Sequence, residues 1–240
     1  MTLSRKLAVE LIGTFFLMLT VGLAVATAGR LAPLAIGGAL MVMVFAGAHV
    51  SGAHYNPAVS VAALARGALP RGEYAPYVAA QAVAAVLAAL VVRGLGFAPD
   101  HAVAVAGTGK ILVVEFLFTF ALAYVVLNVA TAKDTEGNSF YGLAIGFTLA
   151  TGAFAAGSLS GAAFNPAVAL GASVLGMFPW SHLWIYLLAE LAGGLAAAAA
   201  FVLTQPAEAP GQPARVARQD GEALRPSGER AQRRVSPTTT

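Results

Sequence analysis

The sequence predicts an all-α membrane protein of six transmembrane helices plus two re-entrant half-helices, arranged as an inverted repeat. Three observations predict it. Of 240 residues, 58% are hydrophobic and only 10% charged, which excludes an ordinary water-soluble enzyme. Six apolar segments are long enough to cross a bilayer core of roughly 30 Å. A nine-residue stretch occurs twice, each time just before an apolar segment too short to cross.

The spans are expected near residues 7–28, 32–50, 75–95, 110–131, 140–156 and 182–203. The fifth is short, and apolar residues on either flank could lengthen it. The first has Arg5 and Lys6 before an apolar run, as a signal peptide would, but that run is too long for a signal core and contains Glu10. It reads as a retained span. Residues 57–65 and 166–178 are the short apolar stretches. A helix of about ten residues covers about 15 Å, so each can enter the membrane and return only where protein or a water-filled cavity shields it.

Residues 206–240 hold six arginines (Arg215, Arg218, Arg225, Arg230, Arg233, Arg234) and four acids (Glu208, Asp220, Glu222, Glu229). With almost no large apolar residue, this tail is expected to be disordered. The net charge of +3 partly reflects it, so no nucleic-acid partner is implied. Cysteine is absent, which removes disulfides, thiolate metal sites and Cys nucleophiles. With six spans both termini share a side. Arg5, Lys6, Arg66, Arg71 and Lys133 then face one way against Arg30, Arg93 and Lys110, which predicts cytoplasmic termini in a cell membrane, plasma or bacterial inner.

Ser51-Gly52-Ala53-His54-Tyr55-Asn56-Pro57-Ala58-Val59 matches Ser160-Gly161-Ala162-Ala163-Phe164-Asn165-Pro166-Ala167-Val168 at seven of nine positions, with an offset of 109. Val9-Glu10, Thr14-Phe15 and Leu17 match Val114-Glu115, Thr119-Phe120 and Leu122 at an offset of 105. The polar loop 133–139 absorbs the difference. The first repeat is taken as 1–105 with its half-helix at 56–66, the second as 106–205 with its half-helix at 165–176. Three crossings per half force the second half to enter from the opposite face.

Asn is a favoured N-cap and Pro a favoured first helical residue, so each Asn-Pro pair starts a short helix. Two such helices inserted from opposite faces bring two positive dipole ends, each about half an elementary charge, to the midplane. Cations are repelled there. The irregular strands before them would offer backbone carbonyls as acceptors, a setting for water or a small hydroxylated solute.

The paired Asn-Pro-Ala boxes, the Ser-Gly-Ala approach with Gly52 and Gly161, and a Glu in the first span of each half resemble the major intrinsic protein, or aquaporin, family over about residues 5–203. The resemblance implies a right-handed helix bundle, a homotetramer with a pore in every subunit, and a passive channel without cofactor, bound metal or catalysis. It implies that the boxes Asn56-Pro57-Ala58 and Asn165-Pro166-Ala167 line the pore, where Asn56 and Asn165 contact the permeating molecule. Gly52, Ala53, His54, Gly161, Ala162 and Ala163 would supply carbonyls, and Glu10, Glu115 and His49 would brace the loops. A proton relay through the two glutamates, or a pH gate on His49 or His54, is the alternative reading. Glu190 stands where many relatives have Pro, with no role beyond packing or an interfacial hydrogen bond.

By family spacing the selectivity constriction falls on Ile36, Ala153, Ala162 and Val168. Strict water channels resemble one another in having Arg after the second box, His in the fifth span and an aromatic in the second. Here all four residues are apolar. The nearest pattern is that of plant tonoplast intrinsic proteins, which implies water, urea, ammonia and peroxide as solutes. Glycerol facilitators carry Asp after the box Arg, where this chain has Ala169. The expectation is a channel for water and small neutral solutes such as urea, ammonia, hydrogen peroxide or glycerol. The alternatives are a channel chiefly for a non-water solute, an ion-coupled transporter, or an adhesion protein with a vestigial pore. Small residues such as Gly193, Gly194 and the Ala run 196–200 suit subunit contact and internal packing equally.

Overall fold

A computed structural model describes residues 1–100, 102 and 107–210. It contains α1 (Leu3–Thr27), α2 (Ala32–Ser51), α3 (Pro57–Arg66), α4 (Arg71–Gly94), α5 (Thr108–Thr131), α6 (Tyr141–Ser160), α7 (Pro166–Leu175) and α8 (Leu183–Thr204), with 3₁₀ turns at Gly29–Leu31, Lys133–Thr135, Trp180–His182 and Pro206–Glu208. All but α3 and α7 are long and apolar enough to cross a membrane.

The predicted spans differ from these mainly at their ends. The first begins at Leu3, so Arg5 and Lys6 ride on the helix, and Lys6 pairs with Glu73 of α4 at 2.8 Å. The fifth lengthens at its C-terminal end, to Ser160. The second half-helix ends at Leu175, one residue short of the expected 176, because Gly176 at φ +94° turns the chain and Met177 N–H closes the last turn on Ala172 O at 2.8 Å. The tail expected from 206 onward is structured over its first residues. The Glu208 carboxylate accepts from the Arg66 guanidinium and from Lys133 N–H, each at 3.0 Å, and Arg66 also donates to Thr131 O and stacks over Phe201. Residues 211–240 lie outside the described residues, as does most of the loop 101–106.

Packing follows the duplication. α1 lies along α4 and α5 along α8; α1 meets α2 as α5 meets α6; α3 packs on α8 and α7 on α4; α2 and α6 cross each other at the centre. Exchanging the halves leaves this set unchanged. The central crossing is close because a Cβ on Gly37 would strike Gly146 O and a Cβ on Gly146 would strike Gly37 O, which is how small residues serve helix association in lipid. Large apolar side chains such as Phe16, Phe147, Phe154, Trp184 and Leu188 stay exposed on the outside. Glu10, Glu115, Gln81, Glu190, Asn56 and Asn165 are buried within, the reverse of a soluble protein and the arrangement a lipid solvent dictates.

Candidate functional site

Each half-helix starts at its Asn-Pro pair. Asn56 is extended (φ −158°), and its Oδ1 accepts from Ala58 N–H at 2.8 Å and Val59 N–H at 3.4 Å. Asn165 (φ −162°) repeats this with Ala167 and Val168 at 3.0 and 3.4 Å. Asn56 Nδ2 donates to Phe164 O and Asn165 Nδ2 donates to Tyr55 O, both at 2.8 Å. The two caps are therefore tied reciprocally, and the two helix N-termini meet. One N–H of each amide remains for the space between them.

The strands leading to the caps carry unusual backbone. Gly52 and Gly161 sit at φ +86°, and Ala53, Tyr55, Ala162 and Phe164 have φ between +48° and +55°. A non-glycine residue there costs on the order of 1–2 kcal/mol. The buried carboxylates offset that cost. Glu10 accepts from Ser51 Oγ at 2.7 Å and His54 N–H at 2.9 Å on one oxygen, and from Tyr55 N–H at 2.7 Å and Gln81 Nε2 at 2.8 Å on the other. Glu115 accepts from Ser160 Oγ and Ala163 N–H (3.1 Å), and from Phe164 N–H at 2.7 Å. With the amides turned to the glutamates, the carbonyls of residues 52–54 and 161–163 accept no hydrogen bond among the described residues.

A cavity of about 180 Å³ runs between the halves. Its lining includes Asn56 and Asn165, Ala53 and His54, Gly161 and Ala163, and all four constriction positions: Ile36, Ala153, Ala162 and Val168. Pro57, Ala58, Pro166 and Ala167 are buried behind it. Gly52 instead lines a separate recess beside Lys6, Glu73 and Thr131, which His54 also borders. Glu10 and Glu115 do not line the cavity, and their oxygens are taken up by donors of the loops.

Two expectations need correction. His49 is exposed and its side chain makes no hydrogen bond among the described residues. Two residues along a helix turn by about 200°, so with Ser51 facing Glu10, His49 points away, and Ser51 is the brace. Glu190 has a defined partner: its Oε1 accepts from Asn165 N–H at 3.0 Å.

Other contributors were missed. Tyr77 Oη donates to Ser51 O at 2.8 Å, and Tyr186 Oη donates to Ser160 O. Tyr77 with Gln81 and Tyr186 with Glu190 share the 109-residue offset of the boxes, a signal the self-alignment carried. Phe178 brings an aromatic ring to the cavity wall against Gly161, stacked on Tyr186 at 4.6 Å. It lies thirteen residues past Asn165, outside the motif. Among the described residues no group of three His, Cys, Asp or Glu could hold a metal.

Residues 29–201 match the family model of the major intrinsic proteins. The chain belongs to that family. Major intrinsic proteins are channels for water and small neutral solutes, not enzymes, and this chain is one of them. It is 37% identical over 212 residues to Aquaporin NIP1-3 of Oryza sativa subsp. japonica, covering 83% of this chain and 73% of that one. It is 35% identical over 206 residues to Glycerol uptake facilitator protein-like 6 of Lactiplantibacillus plantarum, covering 81% and 95%. The fold resembles that of the aquaglyceroporin from Plasmodium falciparum with a TM-score of 0.73, at 21% identity, over 86% of this chain and 99% of that one. The plant major intrinsic protein named here is of the NIP type.

Proposed function

We propose that this channel conducts chiefly small neutral solutes other than water, of glycerol, urea or ammonia type, with water passing as well. The observation that carries the reading is that Ile36, Ala153, Ala162 and Val168 all line the same cavity. None of these side chains brings a charge or a hydrogen-bond donor, and two are methyl groups. A solute with carbon surface loses little there, while an arginine that would narrow the path and fix positive charge is missing.

The glycerol facilitator among the relatives supports the same choice. Asn56 and Asn165 offer one amide N–H each, and the free loop carbonyls offer acceptors, so a solute can exchange its hydration for them in steps. Cation exclusion falls to the paired helix N-termini. The channel is placed in a cell membrane with both termini cytoplasmic, as a homotetramer with a pore in each subunit.

The test is stopped-flow light scattering of reconstituted vesicles under glycerol, urea and ammonia gradients. Solute entry well above that of bare lipid, unaffected by proton or sodium gradients, is expected. Water flux with no entry of any of the three would leave a strict water channel, and flux that follows an ion gradient would make it a coupled transporter.

A further inference from the structure

The two braces are not equivalent. In the first half the fourth donor to the carboxylate is an amide, Gln81 Nε2, at 2.8 Å from Glu10 Oε2 and 3.1 Å from Ser60 Oγ. In the second half the residue at the same repeat position is Glu190, and the counterpart of Ser60 is Ala169. Glu190 is fully buried, and its carboxyl stands beside that of Glu115, the two taking the successive amides of Asn165 (3.0 Å) and Phe164 (2.7 Å). Its Oε1 takes Asn165 N–H at 3.0 Å, but its Oε2 meets no donor.

Two buried ionised carboxyls side by side, with no cation paired to either among the described residues, repel each other. A single proton between them turns the clash into a hydrogen bond. Glu115 already receives three donors, from Ser160, Ala163 and Phe164, whereas Glu190 receives one. The negative charge is better solvated on Glu115, so the proton belongs on Glu190, whose bare Oε2 is the atom without a partner. Among the described residues the surroundings offer no other source of charge. The hydroxyl of Tyr186 is engaged with Ser160 O, α7 carries no ionisable side chain, and Arg66 of α3 is bound to Thr131 and Glu208.

We propose that Glu190 is held as a neutral carboxylic acid which donates to Glu115, doing in the second half what the amide of Gln81 does in the first, and so positions Asn165 at the mouth of its half-helix. Neither glutamate lines the cavity, so this proton is structural and lies off the permeation path. The consequence for the channel rests on the function proposed above; the protonation does not.

The experiment compares infrared spectra of the full chain in vesicles at neutral pH with solute flux from the same preparations. Wild type should show the carbonyl stretch of a protonated carboxyl that is lost in Glu190→Gln and kept in Glu73→Gln, whose site is the Lys6 ion pair. Glu190→Gln supplies the same donor and acceptor and should keep wild-type flux per channel. Glu190→Leu orphans Asn165 N–H and should lose flux roughly tenfold. A wild-type spectrum without that band, a band that survives Glu190→Gln, or a Glu190→Gln variant as impaired as the leucine variant each overturns the proposal. If Glu190→Leu does not fold, the spectra still decide. Wild-type vesicles showing the band but no flux would overturn the channel reading while leaving the protonation intact.

Discussion

Both halves of the molecule brace the re-entrant loop with a carboxylate and a serine, Glu10 with Ser51 and Glu115 with Ser160; the first adds an amide, a second serine and a histidine where the second has another carboxyl group and two alanines. Glu10 meets four donors, and His54, Ser60 and Gln81 form a chain behind it. Ala163 and Ala169 stand where His54 and Ser60 do, and Glu115 leans on Glu190. Yet the backbones are nearly superposable in dihedral terms, with φ of +86°, +50° and +50° at residues 52, 53 and 55 against +86°, +55° and +48° at 161, 162 and 164. What the duplication preserves is the direction of the amides and the caps, and the side chains that hold them there are free to differ.

Removing either brace should have the largest effect. Glu10→Leu leaves three buried donors of the loop without acceptors, and Gln81 with Ser60 Oγ alone, and is expected to destabilise the folded protein by roughly 3–6 kcal/mol. Glu115→Leu orphans three donors of its own loop, and the Glu190 carboxyl with them, and should cost about as much. Thermal unfolding in detergent measures both, and a much smaller loss at Glu115 than at Glu10 would contradict the donation from Glu190. Next come the caps: Asn56→Ala and Asn165→Ala each remove an N-cap and a cross-loop bond, for about 1–3 kcal/mol. Because the two sets of bonds match, the two variants should agree, and a large difference would show that the halves are less alike at their junction than their geometry indicates.

Much of this was legible because the chain repeats itself. A lone Asn-Pro is an ordinary turn, but two at a fixed offset beside truncated apolar stretches specify facing half-helices, and a Glu inside each leading span has few uses besides holding buried amides. What stayed hidden were contacts that no local period encodes. The bonds from Asn56 to Phe164 and from Asn165 to Tyr55 join residues about half the chain apart. Glu190 gains meaning only beside Glu115, and Phe178 reaches the cavity through the turn after Gly176. His49 misled because proximity to the box along the chain is not proximity on the helix face. Glu208 was read as part of a polar tail since its value depends on Arg66, which is distant in sequence.

Smaller effects separate the halves at their outer ends. Val168→Arg places bulk and charge at the constriction beside the second box, and should lower entry of urea-sized solutes more than that of water; unchanged urea flux would move the constriction elsewhere. Among the described residues only the first half-helix is strapped by the segment after α8, so Glu208→Gln should cost no more than about 1 kcal/mol and leave solute flux as it was. A loss of flux in that variant would give the strap a part in conduction.

The central claim is that the two capped helix starts, tied to each other by Asn56 and Asn165, border a path for small neutral molecules. Light-scattering traces of vesicles containing the purified chain, recorded under opposing glycerol gradients with and without proton and sodium gradients, test it most directly. Glycerol should enter far faster than through lipid alone and at the same rate under every ion gradient. Vesicles no more permeable than lipid would contradict the account.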